Sequence, residues 1–176
     1  MADLAEWAHE QGLLGGIEVR AALDGPRFAA LPVALADLVA LAAAAPAGRA
    51  GRPAGPELDR AVRREYRRTA RRVRAAESAA PGAATEHALH EARKAAKRAR
   101  YTGETAGPGA ARFTARMKSV QDVLGRHQDA VVTGHAVRAL SDGGFGYGVL
   151  YGRQFAAAER AREEFPAVWR RVAGAA

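Results

Sequence analysis

The sequence predicts an all-α chain: about six helices packed as an antiparallel bundle within a single domain spanning 1–176. Three observations carry this. Apolar residues recur at i, i+3 or i+4, and no stretch alternates with period two. Proline and glycine fall between the periodic stretches, at Asp24-Gly25-Pro26, in the segment 45–55, at Pro81-Gly82, at Gly107-Pro108-Gly109 and at Ser141–Gly144. No repeat of fixed period is present, so a solenoid is not indicated and short loops join antiparallel neighbours.

The elements follow in order. A weakly amphipathic helix over Asp3–Leu23 has Leu4, Trp7, Leu14 and Ile17 as apolar points, with Gly15-Gly16 as an interruption. A second helix over Arg27–Ala44 carries the stripe Phe28, Leu31, Leu35, Leu38 and Leu41, with Pro32 near its start, where proline is tolerated. Residues 45–55 read as a mobile loop. A third helix, Pro56–Ser78, keeps Leu58, Val62, Tyr66, Thr69 and Val73 on one narrow stripe, and arginines cover the rest. A fourth follows, with Thr85 as its N-cap. A fifth, about Ala110–Leu140, has core positions Phe113, Met117, Val120, Leu124, Val131 and Leu140. The last begins near Phe145 with Tyr147, Tyr151, Phe155 and Ala158 inward, and Pro166 breaks or kinks it.

Composition narrows the function. The formal net charge is +8 and only three of the 27 basic residues are lysine: Lys94, Lys97 and Lys118. Such a balance points to a polyanionic partner, whether nucleic acid, an anionic membrane or a phosphate polymer. There is no cysteine, which removes disulfides, thiol catalysis and cysteine zinc sites. No apolar run approaches about 20 residues, so no membrane span is expected. The N-terminus lacks the basic region and apolar core of a secretory signal. The expected location is the cytoplasm.

The fourth helix is the centre of the functional reading. At about 100° per residue, His90, Arg93, Lys94, Lys97, Tyr101 and Glu104 share one face, with Arg98 and Arg100 at its edges. The opposite face, Leu89, Ala92, Ala96, Ala99 and Gly103, is built for close packing. A solvated charged face would be the plain explanation for one basic helix. Here acids do not dilute the cations at helical spacing, and the preceding helix is basic as well.

Other chemistries fit less well. His87, His90 and Glu91 have helical metal-ligand spacing, but no third ligand is evident and neighbouring cations would repel a metal ion. Glu104, Asp122 and Asp129 are the best carboxylates for acid–base work, yet each reads as an ion-pair partner. No nucleophile triad, phosphate loop or acidic magnesium cluster is present. Nucleic-acid backbone binding remains open, although no recognition helix or stacking platform is visible. A phosphate polymer fits best: arginine forks and lysine point charges stepping along a helix meet regularly spaced phosphates without reading sequence. His90 as imidazolium, with Tyr101 and Gln121 as neutral donors, would add hydrogen bonds.

The segment His90-Glu-Ala-Arg93-Lys94-Ala-Ala-Lys97-Arg98-Ala-Arg100-Tyr101-Thr-Gly-Glu104 resembles the signature helix of the CHAD family, the conserved histidine α-helical domain. Lys118-Ser-Val-Gln121-Asp122-Val-Leu124-Gly125-Arg-His-Gln128-Asp129 is similar to a second helix of that family, and Phe145-Gly-Tyr147-Gly148-Val-Leu150 to the start of its closing helix. The resemblance implies a basic helical cavity that binds inorganic polyphosphate without catalysis and with no cofactor, and association with polyphosphate granules. It carries His90, Arg93, Lys97, Arg98 and Lys118 over as ligand contacts. Lys94 and Tyr101 join them from the shared face, and Arg67 and Arg71 from their place on the preceding helix. The family's domain has two related helical halves, and this chain resembles the second, from about residue 1 to 173. Either the chain corresponds to a fragment or a shortened member, or two copies pair as a homodimer and rebuild the two-fold arrangement. The alternatives are a basic bundle binding nucleic acid and a degenerate protein-interaction module.

Overall fold

The structure is a computed structural model that describes residues 2–44, 48, 51–141 and 144–174, with side chains described from residue 5 onward. It is all-α. The helices are α1 (Ala2–Leu23), α2 (Pro26–Ala29), α3 (Leu31–Ala43), α4 (Ala54–Glu77), α5 (Ala83–Ala106), α6 (Ala111–Leu140) and α7 (Phe145–Ala173), with a 3-10 turn at Pro108–Ala110. The chain divides into two compact units, Met1–Arg52 and Pro53–Ala176.

The second unit is an antiparallel bundle in which α5 packs on α4, α6 on α5 and α7 on α6. Its core runs through all four helices. Val73, Ala92, Ala96, Ala99, Met117 and Val120 are fully enclosed, with Phe165, Val168 and Trp169 closing it from α7. The small-residue face of α5 is buried as its sequence predicts, through Leu89, Ala92, Ala96, Ala99 and Gly103. Alanine and glycine there let the flanking helices come close. The packing of Tyr66 is ring on ring: its centroid lies 6.0 Å from that of Trp169, with 21° between the planes.

Several boundaries differ from expectation, each for a local reason. Thr85 does not cap α5. The helix begins at Ala83, after Gly82 at φ 95°, and the Thr85 hydroxyl donates to the Ala80 carbonyl at 2.8 Å. Gly107, at φ 80°, ends the same helix; both glycines hold backbone angles that a β-carbon would strain. Gly15 and Gly16 do not interrupt α1. The expected second helix divides at Ala30 into α2 and α3, just before Pro32. Pro166 lies inside an unbroken α7. The loop expected over 45–55 falls partly on residues outside those described, as do Asp142 and Gly143 of the predicted turn.

The inward stripe of α7 is displaced towards its C-terminal half. Tyr147 and Ala158 are buried, but Tyr151 and Phe155 are exposed, and Ala161, Phe165, Val168, Trp169 and Val172 take the core. On α6 the core also includes Val123, His127, Ala130, Gly134 and Val137, while Phe113, Val131 and Leu140 are only half-buried.

The first unit is different in character. Its helices α1 and α3 do not pack along their lengths; α2 touches each in turn. The expected apolar stripe of α3 is therefore exposed, from Leu31 to Leu41. One expectation needs correcting here. The 18-residue stretch Pro26–Ala43 has a mean hydropathy of 1.5 and is long and apolar enough to cross a membrane by length and composition. The apolar run is longer than the sequence reading allowed, because Arg27 and Asp37 interrupt it only at its start and middle. No side chain of that stretch is buried.

Candidate polyanion groove

The site is built where α5 and α6 run antiparallel. His90 Nδ1 lies 3.0 Å from Gln128 Oε1. A β-carbon on Gly125 would sit 3.7 Å from Arg93 Nε, and Gly103 meets Thr114 and Phe113. These contacts set one register. Going up α5, His90 meets Gln128, Arg93 passes Gly125 and Gly103 meets Thr114 and Phe113 on α6. Spacing of i, i+3, i+7 keeps each row on one helix face. Gly125 leaves room beside Arg93, because it puts no side chain into the gap.

Hydrogen bonding orients the histidine. With Gln128 Oε1 accepting, the ring proton sits on Nδ1, and Nε2 remains as the second nitrogen, a donor only when the ring is protonated. Arg93 is half-buried, and its Nε is enclosed without an acceptor among the described residues. Gln121 Oε1 is similarly enclosed without a donor. Lys97 lies 5.8 Å from the Tyr101 ring centroid, and the Arg100 guanidinium carbon 4.5 Å from it, both in cation–π range. Among the described residues, His90, Arg93 and Lys97 have no carboxylate within ion-pair distance.

The flanking cations are held differently. Lys94 pairs with Glu91, which Arg72 of α4 also approaches at 3.7 Å. The Lys94 ammonium, hydrogen-bonded to it, holds the Glu91 carboxyl below the usual carboxylate range, and Arg72 and His87 act in the same sense. Arg98 Nε lies 3.3 Å from Glu65 Oε2. Lys118 pairs with Asp122 at 2.5 Å, and Arg100 with Glu104 at 2.9 Å. So the nine predicted residues separate into classes. His90, Arg93 and Lys97 form a row free of acids, with Tyr101 under its upper end. Lys94, Arg98 and Lys118 are each partly neutralised at its edges.

Arg67 and Arg71 are not part of this row. Glu65 and Arg72 mark the side of α4 that faces α5. At about 100° per residue, Arg67 and Arg71 lie roughly 160° and 120° around the helix from Glu65. Arg67 instead lines a cavity with residues of α6 and α7.

Two residues of functional weight were missed in the sequence. Gln128 stands in the segment similar to the family's second helix with no role of its own there, yet it orients His90. Glu65 was overlooked among arginines, although it is only 4% exposed. Its signal was present: Leu58, Val62, Glu65, Thr69 and Val73 continue the apolar spacing, and an acid on such a stripe needs a cation. His127 is buried too, with Nε2 3.5 Å from Glu86 Oε1. Among the described residues, no three potential metal ligands cluster.

A family model, the CHAD domain, matches residues 1–138 of the 176. The chain belongs to the CHAD family. The match takes in the His90 helix and nearly all of α6, and so both rows of the groove; the resemblance at Phe145–Leu150 lies beyond it. No curated protein and no solved structure matches this CHAD chain.

Proposed function

We propose that this CHAD chain is a binding module for inorganic polyphosphate, without catalytic activity. The observation that carries the reading is the acid-free row His90, Arg93 and Lys97 on α5, with His90 held by Gln128 of α6 and Arg93 beside Gly125. Along a helix, i, i+3 and i+7 rise by about 4.5 and 6 Å, steps longer than one P–O–P bridge, so the three cations meet every second phosphate or so of an extended linear chain. Arginine meets phosphate oxygens with two parallel donors, lysine with a point charge. Arg98 and Lys118 extend the row only by loosening from Glu65 and Asp122. Membership of a family associated with polyphosphate supports the same choice.

The deciding experiment is calorimetric titration with polyphosphates of several lengths. Affinity is expected to rise with length until the chain spans the groove, then to level. Arg93→Ala with Lys97→Ala should weaken binding about tenfold or more, since each charge-assisted bond contributes roughly 1.5–3 kcal/mol. Circular dichroism should show helicity intact. Unchanged affinity in that double variant removes the row from the site. Excess polyphosphate should displace duplex DNA while DNA fails to displace polyphosphate; the opposite result selects the nucleic-acid reading. Orthophosphate release on prolonged incubation would contradict a non-catalytic role. The same proposal places the chain in the cytoplasm, at polyphosphate granules, and pairs it with a second copy.

A further inference from the structure

A second cavity lies away from the groove, where the first half of α4, the start of α6 and the end of α7 converge. Its volume is about 340 Å³, in the range of small-molecule pockets. Val62 and Val172 supply aliphatic wall and Tyr66 and Phe113 supply rings; Arg63, Arg67 and Arg116 line it with their aliphatic stems, so its wall is almost wholly apolar and the guanidinium groups stand outside it, at the rim. No acid lines it. Among the described residues, neither Arg63 nor Arg67 has a carboxylate partner.

The chemistry differs from that of the groove. A bare phosphate chain has no apolar surface with which to cover Val62, Phe113 and Val172. A ligand that fills this cavity needs a flat apolar body and an anionic end. The ring of Tyr66 is fixed from behind by Trp169, at a centroid distance of 6.0 Å, so it offers a rigid platform. Arg63 and Arg67 stand one turn apart on α4, with β-carbons about 5–6 Å apart, close enough to bracket one phosphate from two sides. Both lie about 160° around α4 from the side that faces α5, counted from Glu65 at 100° per residue.

We propose that this cavity is a second ligand site, for a small aromatic phosphate of the mononucleotide class. The ring enters the apolar cavity beside Tyr66 and Phe113, and the phosphate stays at the rim, where the exposed guanidinium groups of Arg63 and Arg67 turn to meet it. The site is independent of the polyphosphate groove.

Trp169, directly behind Tyr66, is a built-in reporter. The chain has two tryptophans, so Trp7→Phe leaves Trp169 as the sole one. In that background, AMP, UMP and phenyl phosphate are titrated, with adenosine and tripolyphosphate as controls. The expected result is a saturable change in Trp169 fluorescence with at least one aromatic phosphate, and binding about tenfold or more weaker for both controls. Arg63→Gln with Arg67→Gln should remove the response, whereas Arg93→Ala with Lys97→Ala should leave it unchanged. Val62→Phe should block entry by filling the space; if that variant fails to fold, the arginine pair decides alone. No saturable response with any of the three aromatic phosphates overturns the proposal. So does binding indifferent to Arg63 and Arg67, or equal competition by tripolyphosphate. Failure here leaves polyphosphate titration of the groove untouched, and the reverse also holds.

Discussion

Gly103 shows how much one missing methyl group can set. A β-carbon there would be 2.9 Å from Phe113 Cδ1 and closer still to Thr114 Oγ1. Neither neighbour moves easily: the Thr114 hydroxyl donates to the Ala110 carbonyl at 3.0 Å, and Phe113 packs against the core. Alanine in a helix interior is normally better than glycine by about 0.5–1 kcal/mol. Overpacking typically costs about 1–3 kcal/mol, so the clash outweighs the propensity. Gly103→Ala is therefore expected to lower stability in urea denaturation, and Gly103→Leu to lower it further; a gain on Gly103→Ala would mean that α6 yields at this contact. This glycine was legible in the sequence as part of a small-residue face. Glu65 was legible only in part, because twelve residues of arginine-rich sequence around it suggest a solvated helix, and burial depends on α5 being alongside. Glu91 supplies a second residue-scale test. Its folded-state pKa is lowered, chiefly by the hydrogen bond from Lys94. Its ionised form therefore favours the fold. That contribution is complete above the ordinary value of 4.5 and is lost as pH falls through the lowered folded value. Glu91→Gln should flatten the stability profile in this acid window alone, and added salt should shrink the difference, as expected for a surface pair. A difference that persisted unchanged at neutral pH and high salt would place the role of Glu91 in packing.

At the scale of the element, α7 poses the clearest problem. A proline in a helix interior removes one hydrogen bond and crowds the preceding turn, at a cost of about 3 kcal/mol. The sequence accordingly predicts a break or a kink at Pro166, and the helix runs through it without a break. The neighbours explain this. Phe165, Val168 and Trp169 are all buried, and helical spacing alone brings the three to the core together. Pro166 itself is exposed, so the carbonyl deprived of its partner faces water. Tertiary packing thus overrides a local signal that no single-element argument could weigh. Pro166→Ala is expected to raise the midpoint of thermal unfolding, corresponding to about 1–3 kcal/mol, without altering the helical signal. A drop would show that α7 needs the bend that proline permits. The same logic separates the helices that were read well from those that were not. The inward face of α5 follows from its own sequence, since small residues alternate with cations at helical spacing. The inward face of α7 depends on where its partners end, and Tyr151 and Phe155 continue the apolar spacing but border α6 on one side only and stay exposed.

At the scale of the whole molecule, the two units make opposite demands. The bundle of α4–α7 encloses its own core and needs nothing further. Helix α3 is apolar almost all round, with Asp37 as its one charged residue, yet Leu41 is 70% and Val39 69% exposed. A helix of that kind is stable only when surrounded. Asp37 argues against lipid as the surrounding, since an acid near the centre of a spanning helix costs about 2.5–3.5 kcal/mol. In a helical assembly the same residue needs only one cation or hydrogen-bond donor from a neighbour. Leu13, Leu14, Ile17, Val19 and Leu23 on α1 are exposed as well, so the unit offers a broad apolar surface. Specific interfaces bury about 800 Å² per partner, and a dozen half-exposed aliphatic and aromatic side chains reach that scale. A second copy brings the same surface and is always available, which favours symmetric pairing. Light scattering is expected to give twice the chain mass at micromolar concentration, with or without polyphosphate. Leu35→Glu with Leu38→Glu should shift the mass to that of one chain, while the groove on α5 and α6 keeps its fold. Partition of the unaltered chain into neutral vesicles, abolished by the same substitutions, would assign the surface to lipid instead. A strict monomer in solution that ignores vesicles would show that neither covers α3, and would end the case for pairing.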